Sequence, residues 1–173
     1  HHEHVCPWWC CFTFDNFLRK IFHNPDKILR PYVTGGDSVL DIGPGMGYFS
    51  IPLARIVGEG GKVIVADVQP EMLRALMRRA KRAGVEHRII THLCKEDSLG
   101  LNMQVDFVLA FWMVHEVPNP LLFFKEIRSL LPLSGKFLLS EPILHVNQAK
   151  FERTVKTAES CGLVLMDKPK ISL

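Results

Sequence analysis

Long apolar runs are missing from this chain. The longest, Phe107 to Val114, falls far short of the roughly 18 residues that a membrane-spanning helix needs. Nothing in the sequence therefore reads as a bilayer span. A strong charge of one sign is missing too: 21 Lys and Arg stand against 18 Asp and Glu, a formal net charge of +3. That balance is too even to point to nucleic acid or a membrane surface without a localised patch. Cysteine is scarce and odd in number, five in all, with three crowded at Cys6, Cys10 and Cys11. This speaks against a disulfide framework and for a reducing, cytoplasmic setting. Internal repeats, low-complexity tracts and an obvious linker are absent. With 47% hydrophobic and 23% charged residues, the composition excludes disorder and collagen. The chain has 173 residues, enough to bury roughly 70% of its unfolded surface in one core. One domain over residues 1–173 is expected. Position 1 is His rather than Met, so the start is expected to be trimmed or to carry tag remnants, and His1 and His2 are given no function.

What is present is an alternation of short Val-, Ile- and Phe-rich runs with longer stretches of helical periodicity, beginning at Ser38. This is the pattern of βαβ units, and it predicts an α/β fold with a doubly wound, mostly parallel sheet and helices on both faces. Six strands are expected: Ser38–Ile42, Lys62–Asp67, Arg88–Cys94, Val105–Trp112, Gly135–Glu141 and Leu163–Pro169. Uninterrupted apolar stretches such as Phe107 to Phe111 suit strands covered on both faces. Helices are expected over Pro70–Gly84, Asn119–Leu131 and about Asn147–Cys161, each with Pro or Gly punctuation at an end. The outer face of the first carries Arg74, Arg78, Arg79, Lys81 and Arg82, a solvated face or, alternatively, an RNA contact. Residues 1–37 differ in composition, with Trp8, Trp9, Phe12, Phe14, Phe17 and Phe22. They read as one helix around Phe14–Phe22 and a second over Pro25–Tyr32, forming an N-terminal cover.

The strongest chemical signal is Asp41-Ile42-Gly43-Pro44-Gly45-Met46-Gly47-Tyr48-Phe49-Ser50. A strand ends at Ile42, glycines alternate through a turn, and a helical pattern follows from about Tyr48. Glycine lets backbone turn sharply and lets a ligand approach without a Cβ in the way. The dinucleotide fingerprint would need glycine at position 48, which is Tyr48, and P-loop spacing is absent. Asp41, just before the turn, would repel a pyrophosphate and suit a cationic amine. Asp67, at the end of the second expected strand, is placed to accept the two hydroxyl hydrogens of a ribose. Together the acids suggest an adenosyl ligand that carries an ammonium group.

With these residues in view, the chain resembles class I S-adenosylmethionine-dependent methyltransferases. Asp41 to Gly47 looks like their first motif and Asp67 like their ribose acid. Val105 to Ala110 resembles the fourth-strand motif, and Leu130 to Leu139 the turn and fifth strand. His115-Glu116-Val117 is similar to the segment after strand four in small-molecule methyltransferases of quinone biosynthesis and arsenite methylation. The resemblance implies S-adenosylmethionine as cofactor and a small-molecule acceptor as partner. It places Asp41, Gly43, Gly45 and Gly47 at the methionine portion, Asp67 at the ribose, Val68 and Met72 near the adenine, Asp97 at the adenine amino group and Phe111 facing the sulfonium. It also implies seven strands, so either the sheet is short by one strand or a seventh lies beyond Leu173.

In-line transfer from a sulfonium asks the protein chiefly to align the nucleophile, which supplies up to roughly 7 to 11 kcal/mol. A dedicated base is therefore optional. Where the acceptor is a hydroxyl or an acidic carbon, His115 or Glu116 is the expected catalytic base, because both follow the strand that ends at the site. Cys6 and Cys10 have a spacing within the zinc range, yet four ligands are not assembled and no metal site is expected. The alternative is that thiols and indoles form an apolar lid. Two other functions remain compatible: methylation of a metalloid or thiol through the N-terminal cysteines, and a non-catalytic cofactor- or RNA-binding role.

Overall fold

Side-chain alternation along the strands divides the core into two layers. Successive residues of a strand point to opposite faces. Val39, Val63, Val65, Phe107 and Leu109 go to one layer, and Leu40, Ile42, Ile64, Ala66, Val108 and Ala110 to the other. The computed structural model describes residues 23–171; the expected Phe14–Phe22 helix and Cys6, Cys10 and Cys11 lie outside them. Its strands are β1 (Ser38–Ile42), β2 (Lys62–Asp67), β3 (Ile89–Leu93), β4 (Phe107–Phe111) and β5 (Lys136–Ser140). All pair in parallel in the order β3-β2-β1-β4-β5.

The helices are α1 (Pro25–Leu29), α2 (Ser50–Val57), α3 (Pro70–Arg82), α4 (Pro120–Leu130) and α5 (Gln148–Ser160). Leu29, Leu53, Leu76 and Ala80 bring α1 to α3 onto the first layer. Phe123, Phe124, Ile127, Leu130 and Ala158 bring α4 and α5 onto the second. This is the expected doubly wound arrangement. Its chain reversal lies between β1 and β4, where open α/β sheets form ligand crevices. No described helix is long and apolar enough to cross a membrane.

Two expectations need correction. The helix read over Pro25–Tyr32 stops at Leu29, with Arg30 as a helical cap residue, because Pro31 has no amide hydrogen to donate to the ladder. The sixth strand, Leu163–Pro169, is not formed, and the sheet has five strands among the described residues. Apolar alternation alone does not make a strand; a ladder partner is needed. Here Leu163 and Ile171 pack on opposite layers, and Val164 and Met166 between them are 78% and 87% exposed. Asp167 instead accepts from the hydroxyl of Tyr32, three residues past the end of α1, at 3.1 Å.

One long-range contact fixes the loop after β3. Glu126, on α4, accepts from the Ser98 hydroxyl at 2.6 Å with one oxygen and from the Leu99 amide at 2.6 Å with the other. Removing the carboxylate leaves the amide of a buried residue without its acceptor, a cost of about 1–3 kcal/mol. Glu126→Ala is therefore expected to lower stability by that order in urea unfolding and to abolish hydrogen-exchange protection at Leu99. Unchanged protection at Leu99 contradicts the anchoring.

Candidate functional site

The C-terminal ends of β1, β2, β4 and β5 form one edge, and the chemistry-bearing residues gather there. In register, Ile42 pairs with Ala66 on one side and with Ala110 on the other, so the three central strands end level. Asp41 follows the alternation into the layer of α2, is 2% exposed, and accepts a hydrogen bond from the Ser50 hydroxyl at 2.6 Å. Ser50 is the first residue of α2. The acid therefore anchors the helix that the glycine turn leads into. Helix α2 starts two residues later than about Tyr48, the start read from the sequence, because residues 45–49 are spent in the turn.

The turn needs glycine for two different reasons. Gly43, Gly45 and Gly47 all have positive φ, at 63°, 54° and 86°, a region that costs other residues roughly 1–2 kcal/mol. At Gly47 a Cβ would also lie 2.9 Å from Leu76 Cγ, so the turn packs directly on α3, whereas a Cβ at Gly45 would meet nothing within 4 Å. Open space thus adjoins the middle of the turn. The Gly43 amide donates to the Ala66 carbonyl at 2.9 Å and closes the turn onto the end of β2.

Asp67 ends β2. One carboxylate oxygen accepts from the Gln69 amide at 2.8 Å, where Gln69 precedes the first turn of α3. Burial pushes its carboxyl up to about 6, the nearby Glu116 charge adds to the rise, and the Gln69 and Val68 amides oppose it. Val68 is half-buried and Met72 buried at the start of α3. Asp97 is exposed in the turn closed by Lys95 and Ser98. That turn joins the same edge through the Cys94 amide, which donates to the Asp67 carbonyl at 2.9 Å. Phe111 is buried in the layer of α2, its ring centroid 4.4 Å from that of Phe49, so the site edge rests on it.

Beyond β4 the chain turns through Trp112, a bulky residue at φ 64°, whose amide donates to the Ser140 carbonyl at 2.8 Å. A non-glycine residue held there stores about 1–3 kcal/mol of strain. A short 3-10 turn, Val114–Glu116, follows. His115 Nδ1 lies 2.7 Å from Glu141 Oε2, and the two side chains are 16% and 2% exposed. His115 Nε2 is 3.9 Å from Glu116 Oε1. Burial raises the Glu141 carboxyl above its ordinary range, with the bond to His115 and the charge of Lys150 pulling the other way.

Glu141 was missed by sequence reasoning, which treated it only as the end of the fifth expected strand. The available signal was positional: β5 neighbours β4, so an acid directly after β5 meets the residues directly after β4. The metalloid or thiol reading rests on Cys6, Cys10 and Cys11, outside the described residues. Among the described residues no group of His, Cys, Asp and Glu could hold a metal, and Cys94 and Cys161 are free thiols. Arg74, Arg78, Lys81 and Arg82 of α3 are exposed, with Arg74 paired to Glu71.

The raised Asp67 carboxyl yields a stability prediction with a definite sign. Between its ordinary value of 3.8 and about 6 the folded state binds more protons than the unfolded chain, so this group makes stability fall as pH rises through that window. About two pKa units correspond to roughly 3 kcal/mol. Asp67→Asn is therefore expected to stabilise the ligand-free protein above pH 6, by up to that order, and to leave it little changed at pH 4 in urea unfolding. Destabilisation at pH 7 runs against the burial argument.

Residues 39–135 match the family described as a methyltransferase domain. A protein-L-isoaspartate O-methyltransferase from Methanococcoides burtonii is 32% identical over 91 residues, covering 51% of this chain and 44% of that protein. A ubiquinone biosynthesis O-methyltransferase from Xanthomonas euvesicatoria pv. vesicatoria is 27% identical over 152 residues, covering 85% of this chain and 62% of that protein. The chain thus spans about half the length of these curated relatives. Among solved structures, a SAM-dependent methyltransferase from Aquifex aeolicus superposes with a TM-score of 0.68 and 28% identity over 73% of this chain and 68% of that one. Fibrillarin from Aeropyrum pernix, in complex with natively bound S-adenosyl-L-methionine, shares the fold with a TM-score of 0.61 and 20% identity over 79% of this chain and 61% of that one. The β1 turn, the parallel five-stranded sheet and these matches agree: the chain belongs to the class I S-adenosylmethionine-dependent methyltransferases.

Proposed function

We propose that this protein transfers a methyl group from S-adenosylmethionine to a small-molecule acceptor at the C-terminal edge of β1, β2 and β4. The observation that carries the proposal is the pairing of an open glycine turn at Gly45 with a desolvated carboxylate at Asp67, on adjacent strand ends. The residues fit the cofactor. Asp67 is buried enough to be held up to about 6 when free, and two ribose hydroxyls donating to it would replace the lost hydration. The backbone of Gly43, Gly45 and Gly47 permits close approach of the methionine portion, and Asp41, under the turn, places negative charge beside its ammonium. Val68 and Met72 flank the adenine, Asp97 reaches its amino group, and Phe111 backs the sulfonium.

The cofactor supplies a methyl group already activated on a positively charged sulfur. The protein's tasks are then to hold that group, to exclude water and to align an acceptor. His115 and Glu116, on the turn after β4, lie on the acceptor side and serve as the groups that receive a proton where the acceptor carries one. In this reading the aromatic, cysteine-bearing segment 1–37 is the acceptor-side cover of a single domain. Ubiquinone biosynthesis O-methyltransferases recur among the relatives, which supports a small, ring-bearing acceptor.

Isothermal titration with S-adenosylmethionine tests the reading. Binding is expected to tighten as pH rises through about 6, where Asp67 ionises. Asp67→Ala is expected to weaken it by at least about tenfold, the equivalent of one charge-assisted hydrogen bond of about 1.5 kcal/mol, with the circular dichroism spectrum retained. Absence of binding by the unaltered protein, or equal affinity in the variant, refutes the proposal.

A further inference from the structure

The side chain of Glu141 distinguishes His115 from Glu116 as the group that takes a proton, and bears on whether the acceptor has one to give. A carboxyl group that is 2% exposed is costly to keep in a protein interior unless a partner uses it. Its 2.7 Å contact is to His115 Nδ1, made by the first residue after β5 to the turn after β4, across neighbouring strands. When ionised, this carboxylate can only accept; against a neutral imidazole, Nδ1 then carries the hydrogen and Nε2 keeps its lone pair. Glu116 Oε1, at 3.9 Å from Nε2, is too far to occupy that lone pair by a hydrogen bond.

We propose that Glu141 is a positioning residue that fixes His115 as the base of the transfer, with Nε2 taking the proton, and that the acceptor is consequently a weakly acidic hydroxyl of the phenol type. This rests on the methyl-transfer reading above. A neutral amine attacks through a lone pair that is already free and can lose its proton after transfer. A hydroxyl becomes a competent nucleophile only as its proton leaves, so a pre-oriented base is of use to it. A phenolic hydroxyl, with a pKa near 10 in tyrosine, is within reach of imidazole.

The step balances. The hydroxyl oxygen bonds to the methyl carbon as the carbon–sulfur bond of the sulfonium breaks, its electron pair going to sulfur. The hydroxyl proton passes to Nε2. The products are a methyl ether, a neutral thioether and an imidazolium beside the Glu141 carboxylate. Two carboxylates facing His115 favour that final charge, Glu141 from the end of β5 and Glu116 on its own turn; His145, from the turn after β5, lies 5.7 Å away between ring centroids. Lys150 of α5 acts on Glu141 through its charge.

Nitrogen-15 histidine spectra and acceptor kinetics test this together. His115 in the free protein is expected to be the Nδ1–H tautomer, with a mixture in Glu141→Gln. With S-adenosylmethionine as donor, catechol is protonated at neutral pH and 4-nitrocatechol largely ionised. For catechol, Glu141→Gln is expected to lower kcat by about 10–100-fold with KM little changed, and His115→Gln by about 100-fold or more. For 4-nitrocatechol both losses shrink, and Glu141→Asp restores part of the catechol rate. An Nε2–H tautomer in the unaltered protein overturns the assignment of the base, as do equal losses with both acceptors or none with catechol. Binding of S-adenosylmethionine without methylation of either compound overturns the acceptor class alone. Failure to bind it overturns the underlying function.

Discussion

A parallel strand covered on both faces has almost nowhere to put a charge except its C-terminal end. β1, β2 and β4 are buried along nearly their whole length, so the polar residues of this sheet collect where the strands stop. Asp41 is the informative exception, since it belongs to the strand itself and is nearly inaccessible. It is tolerated because the Ser50 hydroxyl donates to it at 2.6 Å, and buried carboxylates survive when they are hydrogen-bonded. Ser50 can reach back only because the turn between them is short and left-handed at three glycines. Acid, turn and helix start are thus one unit. Loss of any part moves the open face beside Gly45 that the ligand would use.

The same constraint concentrates negative charge. Asp67 ends β2, and Glu116 and Glu141 follow β4 and β5, along one edge; desolvation and like charge each push a carboxyl group up. Asp67 shows both causes, the Glu116 charge adding to its burial, whereas Glu141 rises through burial alone, against the pull of His115 and Lys150. An edge of this kind is electrostatically unfavourable alone, and a cationic, hydroxyl-bearing ligand relieves both causes. Histidine at position 115 relieves one locally by sharing its hydrogen with Glu141. Stability of the free protein and readiness of the site are therefore opposed at Asp67, a conflict common at functional sites.

Much of this was legible in the residues. β1, β2 and β4 were recognisable because a fully buried strand reads as a continuous apolar run bounded by turn residues, and the glycine turn was recognisable because its spacing has a steric cause. α3 and α4 were set by Pro at their starts, and Gly84 at φ 69° follows the end of α3. The rest depended on partners that sequence does not reveal. Leu163 to Pro169 has strand-like residues but no ladder partner. Nothing in its local sequence sets Glu126 apart from other acids, yet it holds Ser98 and Leu99 from α4. Glu141 acquires its role only once β5 is placed beside β4, a fact of topology rather than of local pattern.

The strained turn at Trp112 shows why that topology matters. β4 ends at Phe111, level with Ser140 on β5. Had the chain continued as a strand, His115 would stand four residues further on, roughly 13 Å beyond the edge at about 3.3 Å per residue. The left-handed backbone at Trp112 ends the strand, and the 3-10 turn Val114–Glu116 then keeps His115 within 2.7 Å of Glu141. Glycine would adopt that conformation without strain. It would also remove an indole whose ring lies 5.5 Å from Phe111 and 4.9 Å, edge-on, from His23. The backbone strain is thus held in place by aromatic packing on one side and by the amide bond to Ser140 on the other. A rigid reversal is what a histidine needs if its ring is to stay on one partner, because a freely pivoting turn would let both nitrogens exchange roles.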